Sequence, residues 1–239
     1  MKTLIIGYGE VGSALVSIIS RFMDNKYADY SVHDPNKNMV IKGKYDLLHV
    51  CIPYSDNFIE QVNGYIEEFE PKLTIIHSTV AVGTTRKIKG AVVHSFVRGA
   101  HPYMTDMIKQ TKHIGAVNPK DAIEASKILS GIGFDTIIHY SPEATEFGKL
   151  FDTTYFGVCV AWVKEAKKMA DAYGIDWSNI AQINHTYNTG SEAIGHKDYV
   201  RPEITPMPGK IGGHCVVTNA EILQKDFKSK LLDAITEAE

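Results

Sequence analysis

Thr3-Leu4-Ile5-Ile6-Gly7-Tyr8-Gly9-Glu10-Val11-Gly12 decides the fold of this chain. Four apolar residues stop at a glycine, as a buried parallel strand does. Apolar residues then return at helical spacing: Val11, Leu15, Ile18, Ile19 and Phe22. A GxGxxG match alone is weak, but a strand before it and a helix after it make it a dinucleotide-type phosphate loop. Gly7 permits the tight turn, Gly9 lets backbone approach a pyrophosphate, and Gly12 lets helix and strand pack closely. The helix start offers free N–H groups and a partial positive charge to phosphates. A second strand, residues 30–33, ends at Asp34, about 20 residues beyond the loop, where a carboxylate accepts ribose hydroxyls and repels a 2′-phosphate. NAD is therefore the expected cofactor. Tyr8, Glu10, Val11, Pro53, Ser78 and Thr79 complete the expected contact set. The alternative is a turn-forming glycine set, with Asp34 capping a turn.

Working outward, further strands are expected at residues 46–53, 73–77, 91–94, 113–117 and 136–139. Helices are expected at 56–69, with Asp56 as N-cap, and near 121–129. Strands alternating with helices imply an α/β fold, a doubly wound parallel sheet of Rossmann type over residues 1–140. Ser141-Pro142-Glu143 is a strong helix start, and Gly174 supplies the stop. The helix between, residues 143–173, would run roughly 30 residues or ~45 Å. Its middle, residues 154–163, is apolar all round and must be covered on every side. A homodimer through this helix is the expectation, and burial within one chain is the alternative. Residues 141–239 then form a helical dimerisation and substrate domain. Its tail from His185 onward, rich in Gly and Pro, reads as a long irregular loop that is functional rather than disordered.

The 239 residues, 44 % hydrophobic and 22 % charged, suit a globular protein with a sizeable core. A net charge of −3 gives no basic field for nucleic acid or an anionic membrane. No stretch of ~18 apolar residues is present to span a bilayer, and the N-terminus lacks signal-peptide features. Cys51, Cys159 and Cys215 are too few and too scattered for a disulfide framework, so a reducing cytoplasm is expected.

Three further segments resemble the UDP-glucose/GDP-mannose dehydrogenases. Ser78-Thr79-Val80-Ala81-Val82-Gly83-Thr84-Thr85 looks like their STVPVGTT segment. Residues 146–155, EFGKLFDTTY, are similar to their EAAKLxxNTY helix start. Pro208-Gly209-Lys210-Ile211-Gly212-Gly213-His214-Cys215 resembles their cysteine loop, most of all the GGHC form of the UDP-N-acetylmannosamine dehydrogenases. The resemblance implies a Rossmann domain, a central dimerising helix and a two-step, NAD-linked oxidation of a sugar CH₂OH to a carboxylate. On it, Cys215 would be the nucleophile that captures the aldehyde, Lys149 would stabilise the developing alkoxide, and Thr79 would lie near nicotinamide and substrate. Thr153 stands where the family has Asn, and Asn219 where it has an acidic residue, so the hydrolytic step lacks its base. The chain reads as a short member without the family's C-terminal UDP-binding domain. Arg98, His101, His214 and Arg201 are then expected to bind a smaller anionic or sugar-like substrate.

Two other classes compete. One is a β-hydroxyacid-dehydrogenase-like enzyme that uses Lys149 while Cys215 is structural. The other is a non-catalytic NAD-binding protein. Among ten histidines, His94, His185, His196 and His214 with Cys215 lack close metal-ligand spacing, so no metal site is expected. His33, His49, His77 and His139 read as satisfied core or edge residues, Cys51 and Cys159 as core. The run Lys164-Glu165-Ala166-Lys167-Lys168 reads as a solvated face.

Overall fold

The computed structural model of the chain describes residues 1–21, 29–99 and 102–238. Phe22 and His101 lie outside the described residues. The chain divides into two compact units, Met1–Lys149 and Leu150–Glu239, with the division inside one long helix.

The first unit contains β1 (Thr3–Ile6), α1 (Glu10–Ser20), β2 (Tyr30–His33), β3 (Leu47–Val50), α2 (Phe58–Phe69), β4 (Leu73–Ile76), β5 (Val92–His94), β6 (Lys112–Ala116), α3 (Pro119–Gly131) and β7 (Thr136–His139). It ends with the first turns of α4 (Pro142–Ala172). The strands form one sheet in the order β2-β1-β3-β4-β5-β6-β7. The order reverses at β1, whose Ile5 pairs with Val32 on one side and His49 on the other. Alternation along β1 sends Ile5 to the face covered by α1 and α3, among Leu15, Ile18, Leu47, Ile75 and Ile128. Leu4 and Ile6 go to the opposite face with Leu48 and Phe69 of α2. Both faces are therefore apolar, as a doubly wound sheet requires. Each fully buried Leu, Ile or Phe contributes about 1.5–3 kcal/mol. All pairs are parallel except β5 with β6, where Val93 faces Ala116 and His94 faces Gly115. This reversal brings Lys112, the first residue of β6, beside the C-terminal end of β5. Helix α2 begins at Phe58 with Asn57 at its cap and no side-chain capping bond, so Asp56 is not the N-cap.

The second unit contains the rest of α4, then α5 (Trp177–Ala193), α6 (His214–Gln224) and α7 (Lys230–Thr236). The expected irregular tail from His185 is corrected here, because α5 runs through it to Ala193. Asp176 caps α5 by accepting the Ser178 N–H at 2.8 Å. Only Asn188 and Ser191 of α5 are buried, so the side it buries is polar. Gly157 of α4 is a point of close packing: a Cβ there would stand 2.7 Å from Val216 of α6 and 3.0 Å from Ile235 of α7. Helix α4 spans 31 residues and stops at Gly174, which takes a φ of +66°. Its apolar middle is not covered on every side. Tyr155, Phe156 and Trp162 are each about half exposed or more, at 57 %, 48 % and 62 %. Among the described residues, no helix is long and apolar enough to cross a membrane.

Candidate functional site

The C-terminal edge of the parallel strands gathers the expected cofactor residues of the first unit. Gly7 follows β1, Asp34 follows β2, Pro53 lies beyond β3, and Ser78 and Thr79 follow β4. Open α/β sheets bind ligands at this edge, where the strand order reverses. Gly7 has a φ of +88°, and a Cβ on it would lie 2.6 Å from Cys51 O. A Cβ on Gly12 would lie 2.0 Å from Gly7 O, whereas one on Gly9 would meet nothing within 4 Å. Two glycines are thus fixed by protein packing, and the middle one faces open space. Helix α1 begins at Glu10, with Gly9 as an N-cap that makes no side-chain bond, and a helix start of this kind suits a phosphate. The residues present fit a dinucleotide pyrophosphate.

Asp34 is buried and organises the loop. Its Oδ2 accepts the Tyr8 N–H at 2.8 Å and its Oδ1 the Asn36 N–H at 3.1 Å. Each carboxylate oxygen retains a further lone pair for a ribose hydroxyl. Lys37 Nζ donates to Tyr8 O at 2.5 Å. Ser78 Oγ donates to Ile52 O at 2.6 Å, tying the end of β4 to the segment after β3.

Glu146, which sequence reasoning treated only as part of a motif, anchors the next stretch. It is fully buried on α4 and accepts the Gly83 N–H at 2.6 Å and the Thr85 N–H at 2.7 Å. Burial raises its pKa while these bonds lower it. Nearby, Arg86 donates to Glu143 through Nε at 2.5 Å and an η-nitrogen at 3.0 Å. Lys149 lies one turn beyond Glu143–Glu146, and its Nζ donates to Val97 O at 3.0 Å. Arg98, next along, is half-buried: its guanidinium approaches His113 Nε2 at 3.3 Å and lies over the Phe96 ring at 5.3 Å. Thr153 follows Lys149 by one turn of α4.

In the second unit, Cys215 is exposed and is the second residue of α6, whose cap Gly213 has a φ of +87°. The cysteine loop is therefore a helix N-terminus, a setting that favours negative charge. Asn219, one turn later, is 3 % exposed, and its Nδ2 has no hydrogen-bond partner among the described residues. The first residue of α6 is His214, whose side chain lies outside the description. Arg201 is exposed and stacks on Tyr187, 3.7 Å from the ring centroid; its N–H donates to Asn188 Oδ1 at 2.9 Å.

Lys164 corrects the expectation of a solvated charge run. It is only 6 % exposed and donates to Met207 O at 2.6 Å and also to Gly209 O. It thereby holds the start of the glycine-rich loop that leads to Cys215. The signal was available in its spacing: Ala161 and Lys164 fall three residues apart on α4, and both are buried. The deeper thiol, Cys51, is pushed up to about 12 by burial, which makes it inert. Among the described residues, no three His, Cys, Asp or Glu side chains are grouped to hold a metal.

No family model matches the chain. It is 26 % identical, over a 215-residue alignment, to the UDP-N-acetyl-D-mannosamine dehydrogenase of Methanocaldococcus jannaschii. That match covers 79 % of this chain and 47 % of the relative, so the chain spans about half the length of the curated protein it matches. The UDP-D-ManNAc dehydrogenase of Pyrococcus horikoshii superposes with a TM-score of 0.76 at 16 % identity, over 100 % of this chain and 68 % of that one. The 3-hydroxyisobutyrate dehydrogenase of Mycobacterium tuberculosis superposes with a TM-score of 0.71 at 15 % identity, over 99 % and 91 %. Both superpositions bear out the Rossmann-type fold class. The curated match bears out the resemblance first read from the motifs.

Proposed function

We propose that this relative of the nucleotide-sugar dehydrogenases is an NAD-dependent dehydrogenase acting on a CH–OH group of a sugar-like or small anionic substrate. The observation that carries the reading is the glycine loop: Gly7 and Gly12 admit no side chain, a Cβ on Gly9 would meet nothing within 4 Å, and Asp34 accepts the Tyr8 N–H between them. Bound NAD would supply the hydride acceptor. Gly7, Tyr8, Gly9, Glu10, Val11, Gly12, Asp34, Pro53, Ser78 and Thr79 would hold it. Lys149 would place its ammonium where an alkoxide develops, and Thr79 and Thr153 would border the substrate. Arg98, His101, His214 and Arg201 are the proposed substrate contacts. The exposed aromatic face of α4 supports a homodimer through this helix, and three unpaired thiols support a reducing, cytoplasmic setting.

The role of Cys215 sets how far the oxidation goes. An exposed thiol at the start of a helix suits addition of its sulfur to an aldehyde carbon, with the carbonyl oxygen taking up a proton. A second hydride transfer would leave a thioester, which water must hydrolyse. Asn219 has no acid–base chemistry with which to activate that water. This favours a second reading, in which Lys149 alone acts and oxidation stops after one hydride, as in a β-hydroxyacid dehydrogenase.

The test is NAD reduction across sugar alcohols, sugars and hydroxy acids by the wild type, Lys149→Met and Cys215→Ser. The reading expects turnover that Lys149→Met lowers at least a hundredfold, on the order of 3 kcal/mol. Full activity in Cys215→Ser selects the two-electron reading; loss of only the second NADH per substrate selects the thiol route. NAD binding with no CH–OH compound oxidised would overturn the enzymatic proposal.

A further inference from the structure

The interior of the first unit contains a row of polar side chains that the cofactor edge does not use. Lys112, at the start of β6, is 2 % exposed. Its Nζ donates to Ser95 O and Phe96 O, both at 2.6 Å, and stands 3.2 Å from His77 Nδ1. His77 Nδ1 is also 2.9 Å from Ser95 O, and its Nε2 is 2.8 Å from His49 Nδ1. The rings of His49 and His77 stack with centroids 5.1 Å apart. Both histidines are buried, at 1 % and 3 % exposure.

The groups facing Lys112 come from several elements. They include His49 on β3, His77 after β4, His94 on β5, the Ser95 and Phe96 carbonyls after β5, Cys51 after β3, Lys149 on α4 and the Phe134 ring, 5.8 Å away. Val11 and Leu15 of α1, Met107 and Val97 close the small void beside it. Among the described residues, no carboxylate hydrogen-bonds it. Burial first, with the charge of Lys149 adding and Cys51 opposing, brings its pKa down to about 7. Burial lowers His49 to about 3 and holds His77 well below its ordinary value. Near neutral pH both rings stay uncharged, and the lysine proton is the one that comes and goes.

Hydrogen-bond direction then couples the three. An ammonium has three N–H groups and no lone pair. Two go to the carbonyls, and the third requires His77 Nδ1 as an acceptor. The His77 proton must then sit on Nε2 and be donated to His49 Nδ1, which leaves the His49 proton on its own Nε2. A neutral amine removes the requirement. His77 Nδ1–H can then donate to Ser95 O, and His77 Nε2 accepts from His49 Nδ1–H. Loss of one proton from Lys112 thus releases its bond to His77 and reverses the bond between His77 and His49.

We propose that Lys112, His77 and His49 act as one protonic unit, in which the charge state of Lys112 sets the tautomer of both rings and its ammonium form holds residues 95–98 in place. Charge-assisted bonds are roughly twice as strong as neutral ones, so the segment is gripped more tightly when the amine is charged. The next carbonyl along, Val97 O, anchors Lys149, and the next side chain is Arg98. Lys112 is thus a positioning residue for Lys149; this last step rests on the role proposed for Lys149 above, whereas the coupling itself does not.

The experiment is a pH titration from 5.5 to 9 of the full-length, 15N-labelled chain, without cofactor or substrate. The ring-nitrogen shifts of His49 and His77, assigned with His49→Asn and His77→Asn, report which nitrogen carries the proton. Both rings are expected to pass from Nε2–H to Nδ1–H with one shared midpoint near 7, with neither becoming an imidazolium. The Phe96, Val97 and Arg98 amides should shift with the same midpoint. Lys112→Arg should fix the Nε2–H forms, and Lys112→Met the Nδ1–H forms. Rings that keep one tautomer in the wild type, switch at different midpoints or become imidazolium overturn the coupling. Ring switching with silent 96–98 amides overturns the positioning role. None of these readouts needs turnover, so the unit can fail while the dehydrogenase reading stands, and the reverse.

Discussion

Gly9 and Gly12 sit three residues apart in one loop, yet replacing each by Ala should give opposite results. A Cβ on Gly12 would be 2.0 Å from Gly7 O, and real Cβ atoms do not approach within 3.0 Å. Helix α1 would have to retreat by about 1 Å from the turn after β1. That helix buries Ala14, Leu15, Ile18 and Ile19 against the sheet, and overpacking such a contact costs about 1–3 kcal/mol. Gly12→Ala should therefore lower the melting temperature even without cofactor. A Cβ on Gly9 meets nothing within 4 Å, and its φ of −79° suits any residue. The small loss of Gly at an N-cap is offset by ~0.4–1 kcal/mol from a less flexible unfolded chain. Gly9→Ala should thus melt within about 2 °C of wild type. Its methyl, however, occupies the space assigned to the pyrophosphate. In the wild type, NAD at about 100 times its dissociation constant should add about 2.7 kcal/mol, or roughly 5–10 °C at 2–4 °C per kcal/mol. Gly9→Ala should lose most of that rise. Calorimetric melting with and without NAD measures both effects. A Gly9→Ala variant that keeps the full NAD-induced rise would refute the assignment of the pyrophosphate to this loop.

Other expectations concern the frame around that edge and the face of α4. Glu146→Ala leaves the half-buried Gly83 and buried Thr85 N–H groups without this acceptor and should cost about 2–4 kcal/mol in urea unfolding; a change under ~0.5 kcal/mol would mean that the segment finds other partners. Arg86 holds Glu143 down to about 2, below its ordinary 4.5. The folded-state value is depressed, so this contribution is complete above pH 4.5 and fades as pH falls toward 2. Arg86→Ala should therefore flatten stability across that window and leave the neutral range nearly unchanged, as read by melting at stepped pH. Trp162→Asp on the exposed side of α4 should convert a dimer to monomer in analytical ultracentrifugation; a wild-type chain that sediments as a monomer at tens of micromolar sinks the dimer proposal.

The strands of the first unit were legible because their signal is local. The runs at β1, β2 and β7 are apolar or alternating and end at Gly7, Asp34 and Tyr140, so their bounds follow from the sequence alone. The start of α4 was equally plain, since Ser141-Pro142-Glu143 carries its own capping chemistry, with Ser141 Oγ accepting the Ala144 N–H. Helix α5 was hidden for the converse reason. It buries only Asn188 and Ser191, and polar residues on the buried side give no hydrophobic period to read. Lys164 was misplaced because a charge run looks solvated until its carbonyl partners, more than forty residues away in sequence, are known.

The polar row behind residues 95–98 shows a further kind of information that spacing along the chain does not carry. His49 and Lys112 lie within separate strands, and His77 just beyond a third; read singly, each is an isolated polar residue near an apolar run. Pairing places them together: β3 lies beside β4, so Val50 aligns with Ile76 and the side chains around them share one face. Lys112 joins them only because β6 runs antiparallel to β5. A parallel β6 would have brought Ala116 to that end of β5 and left the Ser95 and Phe96 carbonyls without an ammonium. The reversal is made across the connection between β5 and β6, residues 95–111. An ammonium in this position costs free energy on burial. The folded chain keeps it with two carbonyls and an imidazole rather than a carboxylate, and that choice leaves its proton labile near neutral pH. A paired carboxylate would have stabilised the charge and silenced the row; the imidazole partner instead couples the tautomers of His77 and His49 to a single proton.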